Sequence, residues 1–312
     1  MIDSHLHLWD LGPGAGGGMG PDGGGPCAAV GHLTGGPRPY AWLGPQHGGL
    51  FRSYGEEEAR ETLEAAGVEG VVLVQADDTV ADTESMLAVA DRDPWALGVV
   101  GWIPLEKPAH AEKELQRFLL SPAFVGVRHL IHDDPRDNFL ELPAVRDSLR
   151  MVARYGLVFD VPDAFPRHLG HAVRLARALP ELTVVLDHLG KPPLADAAAM
   201  DVWRSQFRAL AELPNTVAKV SGLHLPGVPY TAAGLRPLWD EALEAFGPGR
   251  LMIGGDWPVS TLGAPYGRTL EVLLELVAEL STAEREDFLE HTAARTYGLS
   301  RELAENTPKF RF

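Results

Sequence analysis

Three histidines and an aspartate stand where apolar runs of this chain end. His5 and His7 lie two apart in MIDSHLHLWD, His188 follows Asp187 in LTVVLDHLGKP, and Asp256 follows two glycines in RLMIGGDWPVS. Imidazole nitrogens and a carboxylate are a donor set for one divalent ion, zinc first and manganese second. The same groups also act as acid and base in proton transfer. Residues two apart on a strand share a face, so Asp3, His5 and His7 are expected on one side and Ser4 and Leu6 on the other. Each signal alone has a plainer explanation. An H-x-H arises by chance among 12 histidines, and an aspartate after a strand can simply cap the next helix. Convergence of His5, His7, His188 and Asp256 on one pocket is the chemical expectation.

Further polar and aromatic residues fall at comparable places. In FVGVRHLIHDDP, Arg128 and His129 must face opposite ways, so at most one enters the interior. An arginine there suits a carboxylate, hydroxyl or carbonyl oxygen of a substrate; a salt bridge to Asp133, Asp134 or Asp160 explains it equally well. Asp160, in GLVFDVPD, is placed to accept hydroxyl hydrogen bonds or to pair with Arg128. Lys219 sits in an otherwise apolar run, VAKVSGL, where snorkelling to the rim accounts for it. Trp9, Trp42, Trp102 and Trp257 lie near run ends; such rings stack on sugars or fill a barrel mouth.

These positions make sense only on a scaffold that gathers run ends. Continuously apolar, β-branched runs cover 1–6, 70–75, 96–103, 125–130, 156–161, 183–188, 217–221 and 251–255. That is the pattern of parallel strands covered on both faces. Amphipathic segments follow at 56–66, 83–92, 109–120, 142–155, 166–179, 203–213, 235–246, 268–280 and 282–297. Eight strand–helix units predict a (β/α)8 TIM barrel in one domain over residues 1–312, with a doubly wound open sheet as the competing fold. Barrel sites form at the C-terminal strand ends, where the histidines and aspartate stand. Residues 12–37 are about half glycine, which predicts a long loop insertion after the first strand.

Composition narrows the partners. A formal charge of −16 opposes nucleic acid and anionic membrane. The single cysteine, Cys27, forbids an intrachain disulfide. With no signal-like N-terminus and no apolar run long enough to span a bilayer, a cytoplasmic enzyme is expected. A homo-oligomer is compatible with the sequence.

Taken together and in this order, DSHLHLWD, YAWLGPQ, AAGVEGVVLVQAD, GVVGWIPLE, FVGVRHLIHDDP, LVFDV, VVLDHLGKP, AKVSGL and RLMIGGDWPVS resemble the amidohydrolase superfamily. Within it they are most similar to the group containing the L-rhamnonolactonases, L-fuconolactonases and dicarboxylate lactonases. The resemblance implies a (β/α)8 barrel that opens a lactone. It places the family's H-x-H on His5 and His7, its sixth-strand histidine on His188, its final aspartate on Asp256, its fourth-strand arginine on Arg128 and its fifth-strand polar position on Asp160. The chain departs from the superfamily in three ways, one being that the segment at 12–37 is longer than expected between the H-x-H and YAWL motifs. It lacks a fourth-strand lysine, which argues against a two-metal site, and it reads Gly254-Gly255-Asp256 where Gly-Ser-Asp is usual. Some lactonases of this kind work without metal, so the resemblance leaves metal dependence open.

The expected chemistry is ester hydrolysis by water. Asp256 acts as base and later returns the proton to the ring oxygen. His188 and the other imidazoles hold an ion or the carbonyl oxygen, and Arg128, Asp160, Trp42 and Trp257 orient the substrate. A neutral sugar lactone is the preferred substrate, because only one arginine is expected at the mouth. Two other readings compete: a metal-dependent decarboxylase of an aromatic or muconate-type acid, and a sugar-binding protein without catalysis.

Overall fold

The computed structural model describes residues 1–12, 39–225 and 228–299. The expected insertion at 12–37 therefore lies, apart from Gly12, outside the described residues. The apolar runs form β1 (Ile2–Leu6), β2 (Gly70–Val74), β3 (Ala96–Gly101), β4 (Phe124–Arg128), β5 (Val158–Val161), β6 (Val184–Leu186), β7 (Thr216–Val220) and β8 (Leu251–Ile253). Each pairs in parallel with the next in chain order. Between and after them run α1 (Glu56–Ala65), α2 (Val80–Ala90), α3 (Pro108–Phe118), α4 (Pro143–Arg154), α5 (Leu169–Ala178), α6 (Ala197–Ala211), α7 (Ala232–Phe246), α8 (Tyr266–Val277), α9 (Thr282–Glu286) and α10 (Thr292–Tyr297). This is a (β/α)8 TIM barrel. Among the described residues no helix is long and apolar enough to cross a membrane.

The seam between the first and last strands is made by residues of the expected site. The Asp256 N–H donates to the His5 carbonyl at 2.9 Å, and the His7 N–H donates to the Trp257 carbonyl at 2.8 Å. Closing the sheet thus brings the two ends of the chain's motif set together.

The barrel interior is layered. Ile2, Val72, Val74, Val100, Val125, Val158, Val185, Val217 and Met252, drawn from all eight strands, pack on one another and on Ala293 and Tyr297 of α10. Two residues further on from Val158, Val185 and Val217 stand Asp160, Asp187 and Lys219, all fully buried. The strand period of two therefore places a charged layer directly after the apolar one.

Strict alternation fails in β1. Its pairing with β2 shifts register between Asp3 and Leu6. Asp3 accepts from the Tyr266 hydroxyl of α8 at 2.6 Å and from the Gly255 N–H at 2.9 Å. It is thus tied to the outer helix, while His5 faces inward, so the expected common face of Asp3 and His5 is corrected.

Tyr40 is tied to α2 through its hydroxyl, which donates to Asp82 Oδ1 at 2.9 Å, while Asp82 Oδ2 accepts the Ala76 N–H at 3.0 Å. Burial pushes the Asp82 carboxyl up to about 7. In the unfolded chain it would titrate near ~3.9. Its stabilising contribution is therefore complete below about pH 4 and is lost as pH rises through about 7. Asp82→Asn keeps a partner for the Tyr40 oxygen and cannot titrate. Its melting temperature should change less between pH 5 and 8 than that of the wild type. An unchanged pH slope would remove Asp82 as the source.

Candidate active site

Most of the residues expected to do chemistry have left their strands. β6 stops at Leu186 and β8 at Ile253, earlier than the apolar runs suggest. The chain then takes left-handed backbone at His188 (φ 55°), Leu189 (φ 51°), Lys191 (φ 57°) and Asp256 (φ 53°). Left-handed backbone costs about 1–2 kcal/mol at a residue with a Cβ, and such residues gather at functional sites. Here the turns swing His188 and Asp256 into the mouth. Gly222, also left-handed at φ 58°, lies so close that a Cβ there would be 2.5 Å from His188 Nδ1 and 2.8 Å from Asp256 Oδ2.

Asp256 is the centre of the arrangement. Its Oδ1 lies 3.6 Å from His7 Nε2, 3.8 Å from His5 Nε2 and 3.9 Å from His188 Nε2. His5 Nε2 and His7 Nε2 are 3.1 Å apart. The rings are held from behind: His7 Nδ1 bonds the Val74 carbonyl at 2.8 Å, and His188 Nδ1 bonds Ser221 Oγ at 2.8 Å. Burial would raise the Asp256 carboxyl, but the facing His188 ring and the Lys191 ammonium outweigh it and hold the group below the usual carboxylate range. Burial pushes the His5 and His188 rings well below the usual histidine value, with the Lys219 ammonium adding to the effect on His5. The arrangement is a carboxylate driven toward its ionised form beside two imidazoles, His5 and His188, driven toward their neutral form.

Donor atoms of His5, His188 and Asp256 lie within 4.8 Å of one another, close enough to share one ion. Two imidazole nitrogens and a carboxylate oxygen suit zinc or manganese, so the residues fit a single divalent cation. His7, expected as a fourth ligand, stands beside this trio: its Nδ1 is held by the Val74 carbonyl, and its Nε2 lies 3.6 Å from Asp256 Oδ1 and 3.1 Å from His5 Nε2.

Above these groups opens a cavity of about 690 Å³, lined by His7, His188, Asp256, Arg128 and Trp42 among others. Arg128 spends Nε on Asp187 Oδ2 and Nη1 on the Gln75 carbonyl, both at 2.9 Å. Its Nη2 has no protein acceptor among the described residues and is the donor left for a ligand. His129 turns away, stacked on Phe139 at 4.3 Å, and accepts the Trp102 indole N–H at 2.9 Å.

Two expected substrate contacts do not reach this cavity. Asp160 is fully buried in the charged layer, accepting from Lys219 Nζ at 2.6 Å and the Tyr297 hydroxyl at 2.9 Å. It does not pair with Arg128, whose carboxylate partner is Asp187. Trp257 is buried edge-on against Tyr54, with ring centroids 5.2 Å apart. Lys219 does not snorkel; it is fully buried between two aspartates. The wall also holds residues that strand-end reasoning passed over: Asp77, Asp78, Asp163 and Lys191. Lys191 stands in the quoted LGKP turn, where the glycine–proline context was the available signal.

Residues 2–299 match the amidohydrolase family model. The chain belongs to the amidohydrolase family. Among its relatives is an L-fucono-1,5-lactonase from Burkholderia multivorans, 34% identical over 273 residues, covering 83% of this chain and 91% of that protein. An L-fucono-1,5-lactonase from Burkholderia ambifaria is 32% identical over 219 residues, covering 70% and 74%. A crystal structure of an amidohydrolase from Burkholderia multivorans with bound HEPES superposes with a TM-score of 0.80 at 29% identity, covering 96% of this chain and 99% of that one. A second crystal form with bound zinc gives 0.76 at 28% identity, with the same coverage.

Proposed function

We propose that this amidohydrolase opens the lactone of a neutral sugar acid with water. The observation that carries the reading is the ionised Asp256, ringed by three imidazole nitrogens at 3.6–3.9 Å beside a cavity roomy enough for a sugar ring. Simple sugar binding does not require a carboxylate so placed. The two L-fucono-1,5-lactonase relatives support the same reaction class.

Charge bookkeeping at the wall favours a neutral substrate. Asp133 and Asp163 line the cavity besides Asp256, as do Asp77 and Asp78, which burial pushes up, Asp78 to about 7; against them stand the cations Arg128 and Lys191. Arg128 already serves Asp187 at 2.9 Å, and Lys191 lies 3.9 Å from Asp163. A dicarboxylate lactone or an aromatic acid would meet more repulsion than pairing, whereas hydroxyl groups find acceptors.

In the reaction, water attacks the carbonyl carbon and gives its proton to Asp256. The negative charge gathering on the carbonyl oxygen takes a hydrogen bond from Arg128 Nη2. As the ring C–O bond breaks, Asp256 returns the proton to the departing oxygen, leaving the open hydroxy acid. A carboxyl held below its usual range is a weak base but a strong acid, so the return step is the easier one. A divalent ion held by His5, His188 and Asp256 would polarise the carbonyl oxygen and lower the pKa of water. The zinc in the related crystal structure supports that capacity. Trp42, its indole N–H fixed to the Ala76 carbonyl at 2.7 Å, offers a ring face for the sugar.

A panel of five- and six-membered aldonolactones, read by acid release above the spontaneous rate, tests this. Neutral sugar lactones should turn over and a dicarboxylate lactone should not. Carbon dioxide release from an aromatic acid would instead favour decarboxylation, and recovery of every lactone unchanged would favour binding alone. Elemental analysis with chelator treatment decides whether zinc or manganese takes part.

A further inference from the structure

Behind the reacting groups lies a buried ammonium that the mechanism above does not use. Lys219 Nζ donates to Asp160 Oδ2 at 2.6 Å, bonds His5 Nδ1 at 3.1 Å and forms an ion pair with Asp187 Oδ1 at 3.0 Å. An ammonium carries three N–H groups and no lone pair. The His5 nitrogen bonded to Lys219 must therefore present its lone pair. In a neutral imidazole the proton then sits on the other nitrogen, Nε2. That nitrogen looks into the site, 3.1 Å from His7 Nε2, which is itself left as an acceptor because His7 Nδ1 bonds the Val74 carbonyl at 2.8 Å.

We propose that Lys219 is a positioning residue that locks His5 in the Nε2–H form, so that the site is offered a hydrogen-bond donor and a metal ion must displace that proton to bind. The alternative form is built in beside it. Asp187 Oδ1 lies 3.4 Å from His5 Nδ1 and would accept a proton placed there. Conversion moves one proton from Nε2 to Nδ1 without changing the net charge of the ring, but it costs Lys219 its bond to His5. Metal affinity at His5, His188 and Asp256 is thereby set by a lysine that touches neither metal nor substrate. The companions of Lys219 are equally fixed: Asp187 is shared with Arg128 at 2.9 Å and Asp160 with the Tyr297 hydroxyl at 2.9 Å.

The inference rests on the proposed site but not on the lactone, since its readouts need no substrate. Long-range ¹H–¹⁵N correlation spectra of the metal-free wild type, with the His5 signals assigned by their loss in His5→Asn, should show a lone-pair nitrogen at Nδ1 and a protonated one at Nε2. Lys219→Met should shift the ring toward the Nδ1–H form and tighten zinc binding, measured by competition with a chelating dye, about tenfold or more. Because Lys219→Met leaves two buried aspartates with one cation fewer, Lys219→Met combined with Asp160→Asn is the companion variant. A protonated Nδ1 in the metal-free wild type overturns the proposal. So does an unchanged zinc affinity in either folded variant. A role in stability alone would lower the melting temperature and leave both the spectrum of folded protein and the zinc affinity as they were. If neither variant folds, the wild-type spectrum decides.

Discussion

Asp256→Asn is expected to lower kcat on a neutral sugar lactone by about 10²–10⁴-fold, the range for losing a positioned general base, while the melting temperature stays within a few degrees of wild type. Asparagine is the informative replacement for three reasons. It has the same shape, it is among the residues that tolerate the left-handed backbone found here at φ 53°, and its amide can donate to an imidazole nitrogen beside it. The closure hydrogen bond from the residue 256 N–H to the His5 carbonyl involves only backbone and should persist. Alanine would mix loss of the carboxylate with backbone strain. KM should change less than kcat, because the proton is taken in the transition state rather than on binding. A rate within about threefold of wild type would remove Asp256 as the base. A raised KM with unchanged kcat would make it a binding group instead.

The barrel was legible because its strands are valine-rich on both faces and spaced by amphipathic segments. The four core site residues were legible because each ends such a run. Three things were hidden for physical reasons. The register shift between Asp3 and Leu6 breaks the alternation on which the shared face of Asp3 and His5 was argued. Apolar content marks Val184–Leu186 as strand but carries no sign that the chain turns left-handed at His188, so run ends overestimate strand ends. Lys219 and Asp160 looked like rim residues, because burying a charge is costly unless a partner is present. The partners, Asp160 with Lys219 at 2.6 Å and Lys219 with Asp187 at 3.0 Å, come from different strands and are invisible to any local pattern. One sign was available: Asp160, Asp187 and Lys219 each stand two residues after a valine of the barrel interior, which puts all three on the inner face. Helix starts were missed where small residues carry no periodicity. α6 begins at Ala197 on an Asp196 cap and α7 at Ala232 on a Thr231 cap.

Arg128→Lys is expected to cost about 10²–10³-fold in kcat, the usual consequence of removing one donor to a developing oxyanion, with little loss of stability. The guanidinium does three things at once. Nε holds Asp187 and Nη1 holds the Gln75 carbonyl, each at 2.9 Å, which leaves Nη2, on a residue that lines the cavity, without a protein acceptor among the described residues. Lysine keeps the charge and has the reach to satisfy Asp187, so the buried carboxylate is not orphaned. It has no planar fork, however, and cannot point a second fixed donor into the pocket. Arg128→Gln is the poorer test, because it leaves Asp187 with Lys219 as its only cation, and breaking a buried pair costs about 3–5 kcal/mol. The kinetic split identifies what Nη2 touches. If it meets the carbonyl oxygen, the charge it stabilises exists only in the transition state, so kcat falls and KM holds. If it meets a sugar hydroxyl, substrate and transition state lose the same contact, so KM rises and kcat holds. A variant with wild-type values of both would show that the free guanidinium nitrogen faces only solvent, and the oxyanion would then have to rest on the imidazoles of His5 and His188.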